Sequence, residues 1–306
     1  MKSTPFYAAL FMVCVSACTK EPAAPANNTS AASLVLKFSF DSTQVRLNNL
    51  GQPAVMAAGH AGQSPRFNTM SAHYAELAPA ALTPLGKGAI LYRAPETTAG
   101  GSNAIDFEKA SFAGAGETFL KIPIRDIAAG SYEWLRLSLA YQNFDVNFYV
   151  DTVINGMAIK RLVPGTAAGF IGYNTYIKNY TIKTQTLSVN AAKKQGYWGF
   201  ETALSFNGLT YPYSTSGQAP EGSTTVVNPL FATSPVPTGS CVVTAAFEPG
   251  KLTITGTETS DIVINVSLST NKSFEWIEVV ADGQWEPGKG ERVVDMGIRG
   301  MKPRIQ

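Results

Sequence analysis

Hydrophobic and polar positions alternate along most of the chain after the first thirty-three residues. From Leu34 to Phe40, Leu34, Leu36, Phe38 and Phe40 fall on one side, with Val35, Lys37 and Ser39 on the other. Trp134 to Tyr141 sets Leu135, Leu137, Leu139 and Tyr141 against Trp134, Arg136 and Ser138. Phe144, Val146, Phe148 and Val150 then oppose Asp145, Asn147, Tyr149 and Asp151. A period of two over such lengths predicts strands with one buried face. Further strand-like runs are Tyr176–Val189, Tyr197–Phe206, Cys241–Phe247, Lys251–Thr257 and Ile262–Leu268. Asn155-Gly156, between two such runs, predicts a two-residue hairpin, because a type I′ turn needs positive φ at both positions. No long amphipathic helix, heptad or fixed-period repeat occurs. Many short strands between turn residues predict an all-β fold, an antiparallel β-sandwich with long loops. Ser214–Ser223 and Ser234–Ser240, rich in Pro, Gly and Ser, read as loops. The sandwich body spans 34–306, and a subdivision near 214–240 is compatible with that composition.

The N-terminus departs from this pattern. Lys2 precedes the uncharged apolar run Phe6–Val13, and small residues then lead to Cys18. A basic start, an apolar core too short to span a bilayer and a small-residue exit describe a secretory signal over 1–17. Val15-Ser16-Ala17-Cys18 resembles the lipobox of bacterial lipoproteins, which implies cleavage before Cys18 and acylation of that cysteine. Residues 18–33 hold two prolines and mostly small side chains, so they read as a flexible tether. The expected partner is therefore a membrane, reached through the lipid anchor. The expected location is the bacterial cell envelope at the outer membrane, on its periplasmic or surface face. Of three cysteines, Cys14 leaves with the signal and Cys18 carries lipid, so Cys241 has no partner for an intramolecular disulfide. About 270 residues remain, enough for one large core without disulfides.

Charge excludes one class of partner. The formal net charge is +2 and no basic cluster stands out, which argues against nucleic acid. Catalytic motifs are absent: no G-x-S-x-G elbow, H-E-x-x-H helix, phosphate loop or dinucleotide fingerprint occurs, so the expectation is a protein that is not an enzyme. His73 and Glu76 would share a face on a helix but oppose each other on a strand.

Three clusters carry candidate binding chemistry. Met56, His60, Met70 and His73 bring thioethers and both histidines of the chain into one stretch, a donor set that suits copper. Taken with the order LVLKFSF, MSAHYAEL, NAIDFEKA and IPIRDIAAGSYEWLRLSLAYQ, the segment Leu34–Gln142 resembles MbnP-like proteins. That resemblance implies an envelope β-sandwich, in a family some of whose members are associated with copper acquisition. The second cluster is acidic: Glu278, Asp282, Glu286 and Glu291 around Gly283 partly match a calcium loop, which wants alternate carboxylates, a sharp-turn glycine and a late bidentate carboxylate. Val280 and Lys289 occupy two positions where such a loop needs oxygen ligands. The competing reading is a hairpin with Trp276 and Trp285 packed on the core. The third cluster is aromatic. Tyr173, Tyr176, Tyr180 and Trp198 lie in a tyrosine-rich stretch, and flat apolar rings with polar tips suit stacking on a glycan; cross-strand packing would use the same residues. The composite expectation is a lipid-anchored envelope protein that binds or scaffolds a protein, metal or glycan ligand.

Overall fold

The computed structural model describes residues 31–219 and 241–306, apart from Leu82 and Asn155. The signal 1–17, the lipidation site Cys18, most of the tether and the segment 220–240 lie outside the described residues. The strands in chain order are β1 (Ser33–Asp41), β2 (His60–Gln63), β3 (Arg66–Ala78), β4 (Ala89–Arg93), β5 (Glu96–Thr97), β6 (Ala104–Asp106) and β7 (Thr118–Pro123). Then come β8 (Gly130–Tyr132), β9 (Trp134–Ile154), β10 (Met157–Phe170), β11 (Asn174–Thr181), β12 (Thr186–Lys194), β13 (Tyr197–Phe206) and β14 (Leu209–Gln218). The last are β15 (Cys241–Ala246), β16 (Leu252–Ile254), β17 (Ile262–Ser269), β18 (Phe274–Ile277), β19 (Val293–Met296) and β20 (Met301–Ile305). The fold is all-β, and no helix among the described residues is long and apolar enough to cross a membrane.

Two large sheets meet over one core. A four-stranded sheet runs β20-β17-β1-β7, and a seven-stranded sheet runs β14-β13-β10-β9-β3-β4, with β15 also on β9. Leu34, Leu36 and Phe38 of β1 and Ile264, Val266 and Leu268 of β17 face Leu135, Leu137 and Leu139 of β9 in that core. Each such fully buried side chain contributes about 1.5–3 kcal/mol through removal of apolar surface from water. Most pairings are antiparallel, but β1–β17 and β6–β11 are parallel. A smaller sheet, β12-β11-β6-β5, packs on the large one through a second cluster that includes Tyr141, Phe170, Ile177, Tyr180 and Tyr197. A three-stranded sheet, β19-β18-β2, carries the C-terminal turn.

β9 explains the two alternations read from sequence. It is a single strand of 21 residues, and its apolar positions switch from odd to even numbers midway. Ala72 pairs with Leu139 and Ser71 with Tyr141, so Ala140 is an extra residue on β9. Inserting one residue reverses the side-chain parity, which keeps Leu139 and Phe144 on the core side and sends Tyr141 to the second cluster. The opposite face is also covered, so the expectation of one solvated face fails at Arg136 and Ser138, which are both buried. Arg136 donates from Nη2 to the Ala81 carbonyl and lies opposite Glu76, whose carboxylate accepts the Gly86 and Gly88 amides. The loop over Ala80–Gly88 thus closes that face.

Ile154 pairs with Met157, with Gly156 at φ 79°, so the hairpin expected at 155–156 forms there. Ser214–Gln218, read as the start of a loop, instead completes β14 against β13. On either side of 220–240 the chain enters the same sheet: β14 at one edge, β15 on β9. β10 and β15 follow one another along the same edge of β9, with Phe170 opposite Tyr141 and Cys241 opposite Leu139.

Candidate ligand cleft

The site begins with an irregularity of β3. Ala72 pairs with Leu139 and Tyr74 with Ser138, which makes His73 the extra residue of a bulge. Bulges re-aim side chains, and here His73, with none of its surface exposed, reaches Glu96 of the two-residue strand β5. His73 Nε2 lies 2.8 Å from Glu96 Oε1. Arg93 Nη2 donates to the same oxygen at 3.2 Å, and Asn103 Nδ2 donates to Oε2 at 2.9 Å. Burial pushes the Glu96 carboxyl upward, but the hydrogen bonds from Asn103, His73 and Arg93 outweigh it and hold the group below its ordinary value. Burial drives His73 below its ordinary value against the pull of Glu96. A neutral ring donating from Nε2 leaves Nδ1 a buried acceptor with no partner.

Tyr173 closes this network toward solvent. Its ring centroid lies 5.3 Å from that of His73, and its hydroxyl accepts from Asn103 Nδ2 at 3.3 Å. Burial and the neighbouring Glu96 charge push the phenol up to about 12, so it stays a neutral donor and acceptor. Beyond Tyr173 an open cleft of about 580 Å³ runs between the 98–103 loop and the β11–β12 hairpin. Ser102, Asn174, Lys194 and Gln195 supply its polar groups, and Gly100 and Ala192 its floor. Gly100 cannot be replaced cheaply, since a Cβ there would stand 2.7 Å from the Ala192 methyl. Asn174 Nδ2 donates to Ser102 Oγ at 3.1 Å and to the Asn103 carbonyl at 2.9 Å, which pins the loop to β11.

Of the four aromatic residues singled out for stacking, the structure brings only Tyr173 to this cleft. Tyr180 is buried among Phe170, Tyr197 and Tyr141, where no sugar reaches it. An unbroken period of two would put Tyr176 and Tyr180 on one strand face, but the β11–β12 register shifts between Ile177 and Asn179. Ile177 and Tyr180 therefore share the buried face, while half-buried Tyr176 donates its hydroxyl to Asn190 Oδ1 at 3.1 Å. Trp198 packs across the β13–β14 pair, where a Cβ on Gly217 would lie 3.0 Å from its ring.

The copper donors are not gathered either. His60 Nδ1 lies 2.7 Å from Glu275 Oε1 on β18, whereas His73 belongs to Glu96. Met70 is fully buried in the main core and Met56 sits on the coil before β2. Among the described residues no group of three or more His, Cys, Asp or Glu is placed to hold a metal ion.

In the acidic turn, three of the four carboxylates are committed to backbone amides, while Glu286 Oε2 is buried without a hydrogen-bond partner. Glu291 Oε1 accepts the amides of Val279 and Val280, and its Oε2 accepts the Glu286 amide at 2.6 Å. Glu278 accepts the Gly283 amide at 2.8 Å, and Asp282 accepts the Gln284 amide at 2.8 Å. These carboxylates staple their own backbone rather than face a common centre. Glu286 is pushed up by burial and by the charges of Asp282 and Glu291. Trp276 is fully buried, and Trp285 packs on Phe274 with ring centroids 4.8 Å apart, so the turn is anchored by tryptophan.

A second, small and mostly apolar cavity of about 80 Å³ lies where β10 gives way to β15, against Phe170, Cys241, Met296 and Ile298. Burial pushes the Cys241 thiol up to about 12.

Glu96, Arg93, Asn103 and Lys194 went unnoticed in the sequence. Glu96 lies 23 residues from His73 on a strand of two residues, and no spacing rule connects them. No family model matches the chain, and neither do the curated proteins or the solved structures with which it was compared.

Proposed function

We propose that this chain is a lipid-anchored protein of the bacterial cell envelope with a non-catalytic binding role, and that the cleft beside Tyr173 receives a polyhydroxylated ligand such as a glycan. The N-terminal Val15-Ser16-Ala17-Cys18 supports the anchor. The observation that carries the ligand class is the composition of the cleft: one aromatic ring, held by a hydroxyl contact to Asn103, faces hydroxyl, amide and amine side chains. Sugar sites combine an aromatic platform with a few placed hydrogen-bonding groups. The ring is pre-set by the Glu96 network, so little ordering cost falls on binding. A non-catalytic role accords with the burial of His73, whose pairing with Glu96 is the most acid–base-like arrangement beside the cleft, but which has no exposed surface. Two experiments test this. Metabolic labelling with a fatty acid should mark the chain and fail to mark Cys18→Ala; label in the variant would end the anchoring reading. A polysaccharide array probed with the full chain should show saturable binding, and no binding to any polysaccharide would remove the glycan reading.

A further inference from the structure

We infer that the ligand of this cleft is anionic: an acidic sugar whose carboxylate is held by Lys194. The inference rests on the reading that the cleft receives a polyhydroxylated ligand, and adds the sign of its charge.

Lys194 ends β12 directly opposite Asn174, the first residue of β11, so strand pairing fixes its stem at the cleft wall. Its side chain is exposed, and it is the one charged residue lining the cleft. Other lysines of the same small sheet are engaged: Lys178 pairs with Glu108 at 2.6 Å, and Lys193 lies 5.0 Å above the Tyr197 ring. Among the described residues no carboxylate stands within ion-pair distance of Lys194. Glu96, behind Tyr173, is engaged by His73 and Asn103, and Arg93 offsets its charge. The His73 ring beside it is neutral, so the cleft carries an uncompensated positive charge.

Among the neutral groups, the Ser102 hydroxyl points the same way. Ser102 Oγ accepts a hydrogen bond from Asn174 Nδ2, which leaves its own O–H available as a donor. Gln195 and Asn174 commit their amide nitrogens within the protein, so their oxygens are left for the hydroxyls of the sugar rather than for its carboxylate. An ammonium with three donors beside a free hydroxyl donor is suited to a carboxylate, and the Tyr173 ring alongside is suited to the apolar face of the sugar that bears it. At an exposed site the contribution is modest and weakens with salt.

The test uses the full chain in a detergent without sugar. Isothermal titration would compare oligogalacturonate and oligomannuronate with their carboxyl-reduced, neutral counterparts, which keep the same linkages. The expected result is about tenfold tighter binding of an acidic oligomer than of its neutral counterpart, a preference that falls with added salt. Lys194→Gln should remove that preference, so that acidic and neutral oligomers bind the variant alike, while Lys194→Arg should keep it. Equal affinity for acidic and neutral oligomers, or an acidic preference surviving in Lys194→Gln, would overturn the inference and leave the cleft reading standing. Absence of binding by all four oligomers would overturn the inference, and the cleft reading would fall with it if the polysaccharide array were also blank.

Discussion

Two regions of this protein use the same three side chains to different ends. In one, Glu275 is shared by His60 and Arg46, each at 2.7 Å. In the other, Glu96 is shared by His73 at 2.8 Å and Arg93 at 3.2 Å. The His60 side chain keeps a quarter of its surface exposed, and its carboxylate is nearly buried between two strands of the C-terminal sheet. His73 has no exposed surface, and it is the carboxylate that reaches outward, through Asn103, to an aromatic ring on a cleft. A histidine–glutamate–arginine cluster is thus no signature of function by itself. What matters is which member meets solvent and what stands between it and the surface.

The largest effect should come from the structural member of the pair. Glu275 is held below its ordinary value despite burial, because the hydrogen bonds from His60 and Arg46 outweigh desolvation. Removing the charge with Glu275→Gln leaves Arg46 only the Asn271 and Lys272 carbonyls and no counter-charge in a nearly buried position, a loss of about 3 kcal/mol. Chemical denaturation would measure it, and binding at the cleft should be untouched. Glu96→Gln should cost less, about 1–2 kcal/mol, because that carboxylate is partly solvated; it should also weaken ligand binding by releasing Asn103 and Tyr173. A binding defect in Glu275→Gln, or none in Glu96→Gln, would break the comparison.

A smaller effect concerns pH. His73 is held below its ordinary value of 6.5 by burial, so the unfolded chain takes up a proton near 6.5 that the folded chain refuses. Stability from this group is therefore complete above 6.5 and falls as pH drops below it. Glu96, also lowered, acts in a separate window below its ordinary 4.5, where its stabilisation is lost as pH falls. Melting the protein between these two values should show a slope that His73→Gln flattens; an unchanged slope would mean that His73 titrates normally.

The smallest expected effect is none at all. With Glu278, Asp282 and Glu291 committed to backbone amides, calcium should not shift the melting temperature relative to chelator. A shift of several degrees that vanished in Asp282→Ala would restore the calcium loop.

Much of the fold was legible in the sequence because alternation reports burial directly. Leu34, Leu36 and Phe38 enter the core as their period predicts, and the turn at 155–156 brings Ile154 onto Met157. The losses come from single-residue insertions and from distance. Ala140 and His73 are bulge residues, and a bulge is invisible to a period-two reading until the partner strand is known. The same cause moved Tyr180 off the face of Tyr176 and into the aromatic cluster. The parallel pairing of β1 with β17 joins segments more than two hundred residues apart, which no local pattern encodes. At the site, Tyr173 was legible as an aromatic near other aromatics, while Glu96 and Lys194 acquire their roles only from strand pairing.

The central claim is that the ring of Tyr173, fixed by the Glu96 network, is the platform on which a ligand rests. Titrating a polysaccharide bound by the full chain against Tyr173→Ala, with Tyr180→Phe as the buried-ring control, tests it most directly. Loss of the stacking surface should weaken binding about tenfold or more, while the control binds as the unaltered chain does. Unchanged affinity in Tyr173→Ala, with its fold intact by circular dichroism, would contradict the account.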